Sequence, residues 1–240
     1  MPGIEPTIKA QRKLLPGLAS FKNGVDLIWQ STLDLVFPPH CASCGKADEL
    51  WCARCRQLLA SYPLHRLERR LNPNLVVVST GTHSGILRTA IHAYKYEGVM
   101  DLAIPLAQRM MDTFSTSGSY VDAIIPVPIH KERRRQRGYN QAELLAEQIA
   151  YRVNVPSMPD ILVRYRDTAS QVNLSAHERQ QNVKDAFFVL KPVQSQRFLL
   201  VDDVVTTGAT LIACAEALIA AGAAAVTGLT IVSASDLAAR

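Results

Sequence analysis

Phe198-Leu-Leu-Val-Asp-Asp-Val-Val-Thr-Thr-Gly-Ala-Thr210 is the stretch on which the reading of this chain turns. Its first four residues are continuously apolar, as a parallel strand buried on both faces requires. Asp202 and Asp203 follow directly and are expected at the strand tip. Carboxylates only accept hydrogen bonds, so two of them side by side suit the adjacent hydroxyls of a ribose diol. Val204 and Val205 lead into Thr206, Thr207, Gly208, Ala209 and Thr210, after which Ala209 to Ala221 reads as a helix. Successive amides of a glycine-containing turn that opens a helix form a concave nest for phosphate. The three threonines add hydroxyl donors, and Gly208 keeps Cβ atoms out of the way. One element thus offers acceptors for a diol and donors for a phosphate, and the matching ligand is a ribose 5-phosphate. Two competing readings are the Walker B strand of an ATPase and a plain strand with a helix cap. The first would also need Gly-x4-Gly-Lys-[Ser/Thr], which the chain lacks.

Around this stretch, short apolar runs alternate with helical periodicity. Leu75 to Ser79, Val121 to Ile125, Ile161 to Val163 and Ala225 to Val232 read as strands. Ile86 to Tyr94, Leu102 to Phe114 and Asn140 to Val153 read as helices. That alternation predicts an α/β domain, a Rossmann-like parallel sheet with both faces covered. Ligands of such sheets bind beyond the carboxyl ends of the strands, here just after Ile125 and Val201. Leu211 to Ser235 is weakly charged, but its glycines and change of period favour a buried helix and strand over a membrane span. No secretory signal is visible at the start, so a cytoplasmic location without membrane insertion is expected.

After Ile125 the chain runs into Lys131-Glu-Arg-Arg-Arg-Gln-Arg137. The whole chain carries net charge +5, and this heptad, with five bases and one acid, holds +4 of it. The protein is therefore near neutral with one concentrated cationic loop, which points to a local anionic partner. Lys131, Arg133, Arg134, Arg135 and Arg137 beside a ribose-phosphate site suit a pyrophosphate, which rewards bidentate guanidinium contacts. A nucleic-acid backbone and plain solvation are the competing readings. Asn140 is expected to cap the following helix, with Glu143 at its third position. Lys95 has the reach for a phosphate, although a lone lysine on a polar turn is usually solvated. Tyr139 suits stacking or core packing equally.

Cys41-x2-Cys44 and Cys52-x2-Cys55 are separated by seven residues. Two such turns close a tetrahedron around one Zn2+ and leave no open position, so the metal role is structural. Gly45 follows the first pair, where a tight knuckle needs backbone freedom. Cys214 lies on an apolar helix and reads as buried filler. The chain divides into an N-terminal extension (1–36, with a candidate helix from Phe21 to Val36), a zinc module (37–64) and the α/β domain (75–240), the last two joined by a basic connector through Arg66, Arg69 and Arg70.

Val201 to Thr210 resembles the phosphoribosyl diphosphate (PRPP) signature of type I phosphoribosyltransferases. Arg137-Gly-Tyr-Asn-Gln141, the four cysteines and Lys95-Tyr96-Glu97-Gly98 narrow the resemblance to the competence protein F family. Arg164, Gln171, Arg179 and Asn182 before Phe187-Phe188 resemble the mobile hood of related transferases, which implies a lid. The resemblance covers residues 37 to 232. It implies that Asp202, Asp203, Val204 and the Thr206–Thr210 turn hold PRPP, with Mg2+ bridging pyrophosphate and ribose oxygens. It also implies a role in DNA uptake during natural transformation, with an uptake helicase among the partners and single-stranded DNA as a ligand of the zinc module and arginine loop. Turnover stays open. No amidotransferase domain or general base is evident, so the protein reads either as a phosphoribosyltransferase or as a module that binds PRPP without transfer, and its catalytic residues are unassigned.

Overall fold

The computed structural model describes residues 39–115, 120–165 and 186–234. The expected helix from Phe21 to Val36 lies outside them. In chain order the elements are α1 (Ala53–Ser61), β1 (Leu67–Asn72), β2 (Leu75–Ser79), α2 (Gly85–Tyr96), a short 3-10 turn (Met100–Leu102), α3 (Ala103–Phe114), β3 (Ala123–Pro126), α4 (Lys131–Arg137), α5 (Gln141–Val153), β4 (Leu162–Arg164), β5 (Phe187–Val189), β6 (Arg197–Val205), α6 (Ala209–Ala220) and β7 (Ala225–Ser233).

Five strands form a sheet in the order β1-β2-β7-β6-β3. From β2 to β3 every neighbour is parallel, while β1 joins β2 as an antiparallel edge. β4 and β5 make a separate antiparallel pair. Side chains alternate across a strand, so β6 supplies two cores. Leu199 and Val201 pack with α2, α3 and α5, whereas Phe198 and Leu200 pack with α6. Ile124 and its neighbours Ala123 and Ile125 divide in the same way. This two-sided burial is why both strands read as unbroken apolar runs. The weakly charged segment after Leu211 is split between α6 and β7, and no helix among the described residues is long and apolar enough to cross a membrane.

Three segments differ from expectation. The basic connector is the edge strand β1. Its half-buried face carries Leu67, Arg69 and Leu71, so a charge interrupts the apolar alternation, and charges on such an edge strand are a usual protection. The apolar β6 does not stop at Val201: the ladder with β7 continues to Val205, so the acids sit within the strand. The cationic loop is a helix. His130 caps it by accepting from the Glu132 amide at 3.3 Å, Gly138 ends it in the left-handed region, and Lys, Glu, Arg and Gln all favour helix.

The cysteine turns and α1 pack onto the α2–α3 side of the sheet. Trp51, Cys52, Cys55 and Leu59 share one apolar cluster with Leu87, Ile91, Leu106 and Met110. Arg109 of α3 is only 4% exposed. Its guanidinium donates to the carbonyls of Leu59, Tyr62 and Pro63 at 3.2, 2.6 and 2.9 Å. A buried cation thus satisfies the carbonyl end of α1, where the helix dipole favours positive charge.

Candidate functional site

The carboxyl ends of β3 and β6 open into a cleft of about 320 Å³. One wall is the strand-turn-helix of β6 and α6. Alternation along β6 sends Asp202 and Asp203 to opposite sides. Asp203 is 8% exposed and meets the Lys95 ammonium at 2.8 Å. Asp202 is partly buried, and its Oδ1 accepts the Asp203 amide at 2.8 Å. Burial pushes the Asp202 carboxyl up to about 7, with the Asp203 charge adding to it and Lys95, the Asp203 amide and Arg164 opposing. Burial disfavours the Lys95 charge, but the Asp203 carboxylate outweighs it and holds the ammonium above its ordinary value.

The turn that follows places Gly208 at φ +84°. The conformation calls for glycine, and a Cβ there would lie 2.3 Å from Leu71 Cδ1, so the Leu71 side chain would have to turn aside. α6 begins at Ala209, and the Ala209 amide donates to Thr207 Oγ1 at 3.4 Å. The edge strand braces this turn: Arg69 donates to the Thr206 carbonyl at 2.9 Å and to Ser233 Oγ at 3.3 Å. Val204, Thr206, Thr207, Gly208, Ala209 and Thr210 all line the cleft.

The opposite wall comes from α2, α4 and the start of α5. Of the five cations in the arginine run, Arg133 and Arg137 line the cleft. Residues four apart share a helix face, so the run divides: Arg133 and Arg137 on one side, Lys131, Arg134 and Arg135 elsewhere. Arg134 pairs with Glu143 at 2.7 Å and Arg135 lies 3.7 Å from Glu132. A loop would have let all five converge; the helix separates them. Arg137 also donates to Gln141 Oε1 at 3.2 Å and lies over the Tyr96 ring, 5.1 Å from its centroid. Asn140 caps α5 by accepting from the Ala142 amide at 3.1 Å, and its amide donates to the Val127 carbonyl at 3.1 Å, which ties the helix to the loop after β3. Tyr139 packs against the core, its hydroxyl donating to the Tyr94 carbonyl. Of the expected lid residues, Arg164 lines the cleft, while Gln171 and Arg179 lie outside the described residues.

The sequence offered Lys95 only an even chance of reaching a ligand, named Tyr96 and Gln141 only within family motifs and Arg69 only within a connector, and assigned no role to Leu71. Leu71 and Arg69 sat in the segment taken as a connector. Gln141 is 2% exposed at the cleft wall, and its Nε2 has no hydrogen-bond partner among the described residues. Its signals in the sequence were its place immediately after a helix cap and at the end of Arg137-Gly-Tyr-Asn-Gln141.

The four cysteine sulfurs lie within 4.8 Å of one another, with Cys41, Cys52 and Cys55 buried and Cys44 exposed. Cys44 and Cys52 Sγ are 3.6 Å apart. Zinc–sulfur bonds of about 2.3 Å in a tetrahedron put sulfurs about 3.8 Å apart, so the donors are close to a metal's requirement. Burial raises the Cys41 thiol, but the amides of Cys52, Cys44 and Ser43 outweigh it and bring the thiol down to about 6. Gly45 takes φ +75° as the first knuckle turns. The cluster can hold a metal ion. Cys214 is fully buried on the inner face of α6, and burial pushes its thiol well up.

Comparison with known proteins agrees with this architecture. Residues 140–238 match the family model described as "Phosphoribosyl transferase domain". The chain is 33% identical over 193 residues to the DNA utilization protein YhgH of Salmonella typhimurium, spanning 78% of this chain and 80% of that one. It is 32% identical over 181 residues to competence protein F of Haemophilus influenzae, spanning 72% and 75% of the two chains. Among solved structures, adenine phosphoribosyltransferase from Leishmania tarentolae aligns over 70% of this chain and 94% of its own, at 12% identity and a TM-score of 0.40. With its parallel sheet, its matched domain and these relatives, the chain belongs to the family of competence protein F and the DNA utilization proteins YhgH, built on the type I phosphoribosyltransferase fold.

Proposed function

We propose that the cleft binds PRPP, or a closely related ribose 5-phosphate, and that the protein uses this ligand in DNA handling in the cytoplasm. Asp202 and Asp203 accept the ribose hydroxyls. The amides and hydroxyls of the Thr206–Thr210 turn hold the 5-phosphate at the start of α6. Arg133 and Arg137, with Lys95 between the two walls, receive the diphosphate. Mg2+ accompanying PRPP would offset the charge of the diphosphate, with the carboxylates of Asp202 and Asp203 as the hard oxygen donors the cleft offers it. Zn2+ in the four-cysteine knuckle would have a structural role, holding α1 against α2 and α3. The zinc module (37–64) and the α/β domain (75–240) are proposed as the functional parts, with Arg164, Gln171 and Arg179 as the closing hood.

The single observation behind this reading is the facing of two walls across one cleft: acceptors and a glycine-containing turn on β6 and α6, and on α4 two guanidinium groups that pair with no carboxylate among the described residues. The DNA role extends to this chain what the names of its relatives say of those proteins. An uptake helicase is the proposed protein partner. Titration calorimetry with PRPP and Mg2+ tests the ligand. Saturable binding that Asp203→Asn abolishes is the expected result, and binding that survives the substitution refutes the site. Release of pyrophosphate over a panel of amine and nucleobase acceptors separates transfer from binding alone.

A further inference from the structure

Lys95, in the last turn of α2, is fixed at its base while its tip has two places to go. The base is held through its neighbours in the chain. The Tyr94 hydroxyl donates to the Gln141 carbonyl at 2.8 Å, the Tyr139 hydroxyl donates to the Tyr94 carbonyl, and the Tyr96 ring lies under the Arg137 guanidinium, 5.1 Å from it. These contacts tie the end of α2 to the α4–α5 junction, the segment that carries Arg137. Beyond that base the side chain is a flexible four-carbon stem that ends in a point charge, which can change its aim without moving the helix.

The first place is Asp203, 2.8 Å from Nζ. The second is a hollow of about 650 Å³ beside the cleft, which Lys95 lines together with Arg133 and Arg137. No carboxylate among the described residues lines that hollow. Three cations that converge there without an anion repel one another, so an empty cleft keeps the ammonium on Asp203. Burial disfavours the Lys95 charge, and the Asp203 carboxylate is the main group that outweighs the burial. The pairing also occupies Asp203. That residue is buried, so a ribose hydroxyl has to compete with the ammonium for its oxygens. A diphosphate held by Arg133 and Arg137 reverses the preference, because the second place then offers the ammonium a counter-ion.

Ligands with one or both groups meet different costs. A diol alone has to break the ion pair and leaves a largely buried ammonium without a counter-ion. A diphosphate alone draws the ammonium away and leaves Asp203 unpaired beside Asp202. A ligand that carries both groups replaces both partners. We propose that Lys95 is the specificity-determining residue of the cleft: by exchanging Asp203 for an anion at C1 of the ribose, it makes recognition of the diol and of that anion cooperative. The cleft then selects ribose 5-phosphates that carry a diphosphate at C1 over ribose 5-phosphate itself and over nucleoside 5'-monophosphates. This rests on the PRPP reading and goes beyond it, since it requires the two halves of the ligand to help one another. Two anions placed in one cleft would otherwise hinder one another, so the sign of the effect identifies the exchange.

Titration calorimetry of the full zinc-loaded chain with Mg2+ tests this with the two halves of the ligand, ribose 5-phosphate and inorganic pyrophosphate. In the wild type, saturating pyrophosphate should tighten ribose 5-phosphate about five- to tenfold, and ribose 5-phosphate should tighten pyrophosphate by the same factor, as linkage requires. Lys95→Met should abolish that coupling. It should also lower PRPP affinity about tenfold while ribose 5-phosphate binds as tightly as before or more tightly, so that the preference for PRPP shrinks at least tenfold. The wild-type coupling decides the matter even if the variant folds poorly. Pyrophosphate that weakens ribose 5-phosphate or leaves it unchanged, in a wild type that binds PRPP, overturns the proposal. So does coupling that persists in Lys95→Met, or an equal loss of affinity for PRPP and for ribose 5-phosphate. A wild type that binds no PRPP sinks the cleft reading and the exchange with it, and that blank titration is distinct from every other outcome.

Discussion

The two walls of the cleft are built on different principles. The β6–α6 wall is one continuous piece of chain. Its geometry is set by backbone: a strand ladder to Val205, a left-handed glycine and the first turn of a helix. The α2–α4 wall is assembled from segments distant in sequence, and its working groups are the ends of long side chains. Those ends are held by partners within the protein: Lys95 by Asp203, and Arg137 by Tyr96 and Gln141. A backbone wall is preorganised and breaks as a unit. A side-chain wall can exchange its partners for a ligand, and it fails one group at a time.

The sharpest break in this comparison is Gly208→Ala. The left-handed backbone alone costs a non-glycine residue about 1–3 kcal/mol, and Leu71 stands where the new methyl would go. PRPP affinity should fall at least a hundredfold and the melting temperature should drop. Leu71→Ala added to the variant should recover part of the stability, because it removes the clash but not the dihedral strain. Full recovery would mean that packing, not backbone, governs the turn. Calorimetry and thermal denaturation of the single and double variants read this directly.

Lys95→Met tests the opposite wall at its ion pair with Asp203. It leaves Asp203 without its cation, with the two side chains only 18% and 11% exposed in the wild type. Breaking a fully buried pair costs about 3–5 kcal/mol, and partial exposure brings the expectation here to about 1–3 kcal/mol. PRPP affinity should fall about tenfold, less than for the turn, because Arg133 and Arg137 remain.

Asp202 gives the comparison a pH axis. Its carboxyl is raised from an ordinary 3.8 to about 7 by burial and by Asp203. A group whose folded value lies above its unfolded value binds protons more tightly in the native state. Its contribution to stability is present below about pH 4 and is lost as pH rises toward 7. Asp202→Asn should remove that fall, so the two denaturation midpoints should diverge between pH 4 and 7, with the variant flatter. Parallel curves would show that the carboxyl is not raised.

The same contrast explains what the sequence disclosed. The β6–α6 wall is local: the apolar run, the two acids and the threonine–glycine turn stand next to one another, and period and residue type suffice to read them. The parallel sheet was legible for the same reason, since two-sided burial writes an apolar run at each inner strand. The cysteine spacing was legible because chelation is local too. The edge strand was not, because Arg69 stands between Leu67 and Leu71 on its half-buried face and breaks the apolar alternation. Its Leu71 and Arg69 reach the threonine–glycine turn only through tertiary packing. The Lys95–Asp203 pair joins residues far apart in the chain, and a single lysine carries no periodic signal.

The arginine run offers the smallest effect and the finest test. Read as a loop, its five cations are equivalent. As α4 they belong to different faces, and the i, i+4 relation selects Arg133 and Arg137 for the cleft. Arg134→Ala removes an exposed pair with Glu143, an interaction of a kind worth about 0.2–1 kcal/mol. PRPP affinity should stay within about twofold, and stability should hardly move. Arg133→Ala, one residue away, should lower PRPP affinity about tenfold while stability stays equally unmoved, since no buried contact is lost. Equal losses from the two substitutions would mean that charge density alone attracts the diphosphate, as a loop would arrange it. Unequal losses would mean that the helix face decides which of the clustered cations meets the ligand.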